Sequence, residues 1–217
     1  EQSRTRYTGE RLYVQTNKVP LSDDEGQVIG VLGTYEDITA RKAAEARIQF
    51  LAQRDSLTGL PNRALFGDRL RHAMSQAQRG QRLLGLMFLD LDRFKAINDS
   101  RGHSGGDELL IQVGERLKDC MRESDTVSRL GGDEFLEMLE HTEDSIAVAD
   151  KILDAFKAPF ILNQEAVFVT ASIGIAIYPL AGESTEKLIR NADTAMYRAK
   201  ENGRNRYCLY STAPSTP

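Results

Sequence analysis

The chain has 217 residues, 41% hydrophobic and 28% charged, with a formal net charge of −4. That length sits near one and a half domains and allows roughly 70% of the unfolded surface to be buried. The balance excludes wholesale disorder, a collagen-like chain and a disulfide scaffold. With 28 basic against 32 acidic residues the chain is not built to coat a nucleic-acid backbone, though a few placed cations can still hold a small phosphorylated ligand. Cys120 and Cys208 are too few and too far apart for a framework or a zinc site, so a reduced cytoplasmic setting is the default. The first residue is Glu1 rather than Met, which reads as a fragment or a processed chain without a signal peptide. The apolar stretches 83–89 and 167–178 are too short to span a bilayer, so no membrane contact is expected here. Any membrane anchor would lie elsewhere in the parent protein.

Residues 1–37 read as two strands. Leu12, Val14 and Val19 alternate loosely, Ser22-Asp23-Asp24-Glu25-Gly26 is a turn cluster, and 28–35 is rich in β-branched and apolar residues. Two strands alone are marginal in water, so they imply a larger sheet. Residues 38–54 carry a helix composition, with Thr39 as N-cap. Ala44, Ile48 and Leu51 follow the 4, 3 spacing of a coiled-coil seam. This helix either packs on its own domain or forms a two-stranded connector between sensor and output domains. The second is favoured, because strands precede it and a new domain follows.

That domain starts near Asp55. Residues 57–63 form a turn into a helix with Pro61 at its first position, running to about Gln78 and ended by Gly80. The apolar run 83–91 reads as a strand buried on both faces. A short helix over 93–99 and a longer one from 107 to about 121 come next. Residues 125–130 and 134–139 pair as a hairpin around Gly131-Gly132, a pair suited to primed turns. A helix over 143–156, a second hairpin over 160–178, a last helix over 184–201 stopped by Asn202-Gly203, and an edge strand over 206–210 complete the domain. The tail 211–217 is rich in Ser, Thr and Pro. This order gives an α/β (α+β) sandwich, a largely antiparallel central sheet flanked by helices.

Chemistry concentrates in two stretches. In Phe88-Leu89-Asp90-Leu91-Asp92-Arg93-Phe94-Lys95-Ala96-Ile97-Asn98 an apolar strand ends in two carboxylates, which are costly there unless paired or bound to a cation. Asp92 reads as an N-cap of the following helix rather than a ligand; Asp90 precedes the cap and reads as a metal-binding carboxylate. The open helix N-terminus favours phosphate. Lys95 and Asn98 share one helical face, offering a cation for phosphate and an amide for a base. The second stretch is Arg129-Leu130-Gly131-Gly132-Asp133-Glu134-Phe135. Its glycines permit close approach of a ligand to the backbone, and its acids suit Mg²⁺, which takes a few carboxylates together with phosphate oxygens. Gly-Gly-Asp-Glu alone is weak, because Gly105-Gly106-Asp107-Glu108 repeats it. Only the second copy lies between two strand patterns. His72, His103 and His141 read as surface or local structural residues.

The run Asp55-Ser56-Leu57-Thr58-Gly59-Leu60-Pro61-Asn62-Arg63, then Asp90 to Asn98, Gly102-His103, Gly106-Asp107, Gly131-Gly132-Asp133-Glu134-Phe135 and 200–205 resembles a GGDEF domain of the diguanylate cyclase family over about residues 53–210. Where that family often has a His before the first Asp, this chain has Gln53-Arg54. Residues 1–40, through Pro20, Asp23, Asp24, Gly26, Gly30 and Asp37-Ile38-Thr39-Ala40-Arg41, resemble the C-terminal strands of a PAS sensor domain. The resemblance implies a PAS-like piece over 1–37, a signalling linker helix over 38–54, a cyclase domain over 55–210 and a flexible tail over 211–217. It implies a fold like a nucleotidyl cyclase or polymerase palm.

It also implies condensation of two GTP into cyclic di-GMP and two pyrophosphates by a homodimer, with Mg²⁺ or its substitute Mn²⁺. By position Asp90, Asp133 and the Leu91 carbonyl would hold the metal, and Glu134 would help with the metal or with the 3′-hydroxyl. Lys95, Lys200 and Arg204 would hold the terminal phosphates, Asn98 and Asp107 would read guanine, and Gly131 and Gly132 would let the nucleotide lie against the turn. Each has a plainer alternative: Lys200 suits a helix C-terminus, Arg204 a solvated surface, Asp107 a helix N-terminal charge. An Arg-x-x-Asp six residues before the glycine pair binds inhibitory product in the family, and Arg122 to Asp125 has that placement. Arg116 to Asp119 and Arg190 to Asp193 match the same letters, and a plain i, i+3 pair is the alternative. The competing reading is a catalytically silent module that binds GTP or cyclic di-GMP and regulates a neighbour. The tail could lead to such a neighbour, a phosphodiesterase domain. The presence of both turn acids with Asp90, Lys95, Asn98 and Asp107 favours catalysis.

Overall fold

A computed structural model describes residues 2–5, 11–140 and 145–211. The expectations for His141, for a helix start at Glu143 and for the tail beyond Ser211 fall outside these residues. The chain divides into two units, Glu1–Ala52 and Gln53–Pro217.

The first unit holds three antiparallel strands rather than two: β1 (Gln2–Thr5), β2 (Arg11–Ser22) and β3 (Val28–Asp37), in the order β1-β2-β3. β1 is polar and shows no alternation, so its strand state comes from pairing Gln2↔Val14 through Thr5↔Arg11. α1 (Thr39–Gln53) follows. Thr39 is not its cap. The Asp37 carboxylate accepts the Thr39 N–H at 2.9 Å, and the Thr39 hydroxyl accepts the Tyr13 N–H at 2.9 Å, which ties the helix start to β2. No residue of α1 is buried, and Ile48 and Leu51 are both exposed.

The second unit is built on a five-stranded sheet in the order β10-β9-β4-β6-β5. Its strands are β4 (Leu84–Leu91), β5 (Thr126–Gly131), β6 (Glu134–Leu139), β9 (Ala171–Tyr178) and β10 (Arg206–Leu209). Only β9 and β10 run parallel. Helices α2 (Arg63–Gly80) and α5 (Thr185–Glu201) cover one face, and α3 (Phe94–Cys120) and α4 (Ser145–Ala155) the other. β4 is apolar throughout because it is central and covered on both sides. Met87, Leu89 and Leu91 pack with Leu109, Val113 and Leu117, while Leu86 and Phe88 pack with Phe66, Leu70 and Leu188. Truncating a buried leucine such as Leu89 to Ala costs about 2–5 kcal/mol. α5 rests almost backbone to backbone on β9, because a Cβ at Gly174 would collide with the Ala192 carbonyl and the Met196 amide nitrogen.

Several local expectations change. The helix after Pro61 is capped by Asn62, whose side chain accepts from the Ala64 and Leu65 amides; Pro61 precedes the cap and is buried. The two helices expected over 93–121 form one element, α3, broken by non-helical backbone at Gly102 (φ 73°). The second hairpin is short, β7 (Phe160–Leu162) with β8 (Glu165–Val167), turning at Asn163 and Gln164 in left-handed backbone. β9 instead enters the main sheet beside β4. On β6, the Glu137 side chain is wholly buried without a hydrogen-bond partner on another residue. Burial pushes its carboxyl up to about 8, and its charge bears on the Cys120 thiol, which burial also raises.

Candidate active site

β4 carries Asp90 to the end of the sheet between Glu134 of β6 and Ser172 of β9, its cross-strand partners. Asp90 is 8% exposed. Lys200, in the last turn of α5, places Nζ 2.7 Å from Asp90 Oδ1. Burial, together with the neighbouring Asp133 and Glu134, pushes the Asp90 carboxyl up to about 6 even against Lys200. A carboxyl raised by burial and by neighbouring carboxylates marks a place where a cation would be favourable.

Asp133 and Glu134 come from the β5–β6 turn. Gly131 and Gly132 take φ 140° and 55°, and Asp133 stays at negative φ. Of the two loop residues, Gly132 and Asp133, only Gly132 takes positive φ, a backbone that glycine adopts without penalty. Both glycines are exposed and Asp133 and Glu134 are half-buried. Burial raises the Glu134 carboxyl; Arg63 and Lys200 pull it down, and Asp133 and Asp193 push it up. No local motif singles out Arg63 or Asp193 for this position.

The turn is anchored by a residue that no local motif singles out. Arg129 is 9% exposed. Its Nε and Nη2 donate to the Gly132 carbonyl at 3.0 and 2.7 Å, and its Nη1 reaches both Asp55 oxygens at 2.9 and 3.0 Å. Asp55 Oδ1 also accepts the Thr58 amide and hydroxyl. Burial alone would raise the Asp55 carboxyl, but these hydrogen bonds and Arg129 hold it below its usual value. A lone Arg two positions before a glycine pair was the available signal, and it needed a partner 74 residues away to be read.

Asp92 does not cap α3. The N-cap is Arg93, in left-handed backbone (φ 60°) with no side-chain cap. Asp92 is 7% exposed and its carboxylate is taken up by Thr170, Ser172 and the Asn205 amide. Lys95 and Asn98 lie in the first turns of α3, Lys95 exposed and Asn98 half-buried. The Asn98 side chain lies against Gly106, where any Cβ would collide with its Oδ1. The first Gly-Gly-Asp-Glu is thus a close-packing device at Gly106, and its Asp107 is exposed. Arg204 is exposed on the turn after α5.

Among the described residues no three acidic, His or Cys side chains form a ready metal cluster. Mg²⁺ is commonly held by one or two carboxylates with substrate phosphates and water. An all-oxygen set of Asp90, Asp133 and a strand-end carbonyl fits that requirement.

Away from this site, Asp125 Oδ2 accepts the Arg122 amide at 3.0 Å in the turn joining α3 to β5, and the Arg122 side chain is exposed. Arg116, which matches the same four-letter pattern, is committed elsewhere. Its guanidinium donates to the Ala155, Ala158 and Pro159 carbonyls and lies 3.6 Å over the Phe160 ring.

Comparison with known proteins agrees with this architecture. Residues 52–206 match the family model for the diguanylate cyclase GGDEF domain, and residues 1–43 match a PAS fold. The chain belongs to the GGDEF diguanylate cyclase family. It is 45% identical over 177 residues to the bifunctional diguanylate cyclase/cyclic di-GMP phosphodiesterase MucR of Pseudomonas aeruginosa, covering 81% of this chain and 26% of that protein. It is 38% identical over 205 residues to the cyclic di-GMP phosphodiesterase PdeR of Escherichia coli, covering 94% and 31%. It therefore spans about a third or less of these relatives. The crystal structure of the GGDEF domain of PA1120 (YfiN or TpbB) from P. aeruginosa superimposes with a TM-score of 0.70 at 40% identity, covering 72% of this chain and 99% of that one. No helix among the described residues is long and apolar enough to cross a membrane.

Proposed function

We propose that this chain is a diguanylate cyclase that condenses two GTP into cyclic di-GMP. One observation carries the reading: the buried strand-end Asp90 faces the glycine turn of Asp133 and Glu134 while Lys200 sits 2.7 Å from it. Each domain would hold one GTP, and two domains would face each other as a homodimer. The 3′-hydroxyl oxygen of each GTP bonds to the α-phosphorus of the other, the hydroxyl proton is lost, and pyrophosphate leaves. Asp90, Asp133, the Leu91 carbonyl and Glu134 would hold Mg²⁺ or Mn²⁺, which when bound neutralises phosphate charge and polarises the α-phosphate. Glu134 would also take a hydrogen bond from the attacking hydroxyl. Lys95, Lys200 and Arg204 bind the terminal phosphates, Asn98 and Asp107 take the guanine edge, and Gly131 and Gly132 leave room for the nucleotide on the turn. Arg122 and Asp125 bind cyclic di-GMP as inhibitor. Residues 1–37 and the helix over 38–54 act as sensor remnant and signalling linker to the cyclase domain over 55–210.

The test is GTP turnover with Mg²⁺, read as cyclic di-GMP by chromatography over a range of protein concentrations. A specific rate that rises with concentration supports a cyclase working through a dimer. GTP binding without product supports the second reading, a silent regulatory module, which the likeness to PdeR favours.

A further inference from the structure

The turn that carries Arg204 is held in an unfavourable shape. Arg204 and Asn205 both take left-handed backbone, with φ 63° and 48°, a conformation disfavoured for residues with a Cβ. From one side α5 secures it, as the Gly203 amide donates to the Lys200 carbonyl at 3.3 Å and the Arg204 amide to the Ala199 carbonyl at 3.0 Å. From the other side Asp92 secures it. Asp92 Oδ2 accepts the Asn205 amide at 3.1 Å and the Thr170 hydroxyl at 2.6 Å, and Oδ1 accepts the Ser172 hydroxyl at 2.7 Å. The Asp92 amide donates to the Thr170 carbonyl at 2.8 Å. Ser172 in turn stands opposite Asp90 on β4 and Arg206 on β10. Three of the carboxylate's roughly four acceptor sites are used, so Asp92 is occupied with protein rather than with a cation.

We propose that Asp92 is a positioning residue for the nucleotide's polyphosphate, locking the Arg204–Asn205 turn so that Arg204 is presented on the same side as Lys200. This rests on the reading of Lys200 and Arg204 as phosphate-binding cations. The Asp92 carboxylate accepts from all three donors, two hydroxyls and an amide. Asn can stand in: its oxygen keeps Asn205 and Thr170, and its NH₂ faces Ser172, whose hydroxyl can accept. Ala removes all three bonds.

The experiment compares Asp92→Ala, Asp92→Asn and wild type for GTP KM, kcat and inhibition by pyrophosphate. In Asp92→Ala the GTP KM and the pyrophosphate inhibition constant rise about tenfold while kcat stays within about threefold, and Asp92→Asn restores both. In an Asp92→Ala, Asn205→Gly double variant the KM falls part of the way back, because glycine adopts left-handed backbone freely. If Asp92→Ala does not fold, Asp92→Glu replaces it; the longer carboxylate misplaces the turn and the same rise is expected. Unchanged KM and pyrophosphate inhibition, a fall in kcat alone, or failure of both variants to fold overturns the proposal, the last because Asp92 then serves the fold itself. If wild type makes no cyclic di-GMP, the cyclase reading fails on its own. The positioning claim is then read as pyrophosphate affinity by calorimetry, where equal affinity of wild type and Asp92→Ala, or no binding by wild type, overturns it.

Discussion

Arg129 and Asp55 join the strand leading into the glycine turn to the residues that immediately follow α1. The pair is nearly out of solvent, with side chains 10% and 17% exposed. Removing one member leaves the other buried without its counter-charge, so Arg129→Ala should destabilise the domain by about 2–4 kcal/mol. The Gly132 carbonyl also loses both of its donors. Cyclic di-GMP formation should therefore fall at temperatures where the variant is still fully folded. Urea midpoints alongside initial rates check both parts, and a stable variant with wild-type rate would remove the positioning role.

Asp133→Ala should abolish turnover and leave the urea midpoint almost unmoved, since surface turn substitutions usually change stability by less than about 0.5 kcal/mol. Activity retained by this variant would sink the assignment of the turn as part of the metal site.

Gly106→Ala should test the proposed guanine-reading role of Asn98. The new methyl cannot coexist with Asn98 Oδ1 where it lies, so the amide must swing away. GTP KM is expected to rise about tenfold with a smaller loss in kcat, and ITP, which lacks the guanine amino group, should be affected less. Equal losses for both nucleotides would argue against Asn98 as a base reader.

Arg122→Ala should raise the cyclic di-GMP concentration for half-inhibition by about tenfold or more, in line with loss of a charged hydrogen bond, with initial rates unchanged in the absence of product. The same substitution at Arg116 should instead lower stability, because its guanidinium closes the end of α4. Product inhibition that survives Arg122→Ala removes the inhibitory-site claim.

Glu137 sets a pH dependence of stability. Its folded carboxyl titrates at about 8 against a usual value of 4.5, raised by burial. Between those values the native state holds a proton that the unfolded state has lost, so stability falls as pH rises from about 4.5 to 8. Glu137→Gln removes this slope. The variant should gain in melting temperature relative to wild type as the pH is raised from 5 to 8.5, by about 2–4 °C for each kcal/mol recovered. Parallel curves for the two proteins would show that Glu137 is not neutral in the fold.

The short-range motifs were legible because each is a local string. The apolar run ending at Asp90, the turn Gly131-Gly132-Asp133-Glu134 and the helix stop at Asn202-Gly203 place their residues within a few positions. What could not be read was every contact that closes over distance. Asp92 reads locally as a cap because its partners Thr170, Ser172 and Asn205 lie 78, 80 and 113 positions away. Local pattern pairs β9 with its neighbour in sequence, yet it lies between β4 and β10; loop entropy favours the local hairpin and the buried apolar face of β9 outweighs it. The polar β1 has no pattern of its own and exists only through β2.

Gly174 has a role beyond letting α5 lie close. A helix seated on bare backbone cannot sink further, and any larger residue beneath it would lift it. The height of α5 above the sheet is thereby set at mid-strand, and with it the reach of Lys200 toward the strand end. A methyl group placed there, touching neither nucleotide nor carboxylate, would act as a shim that moves a charge.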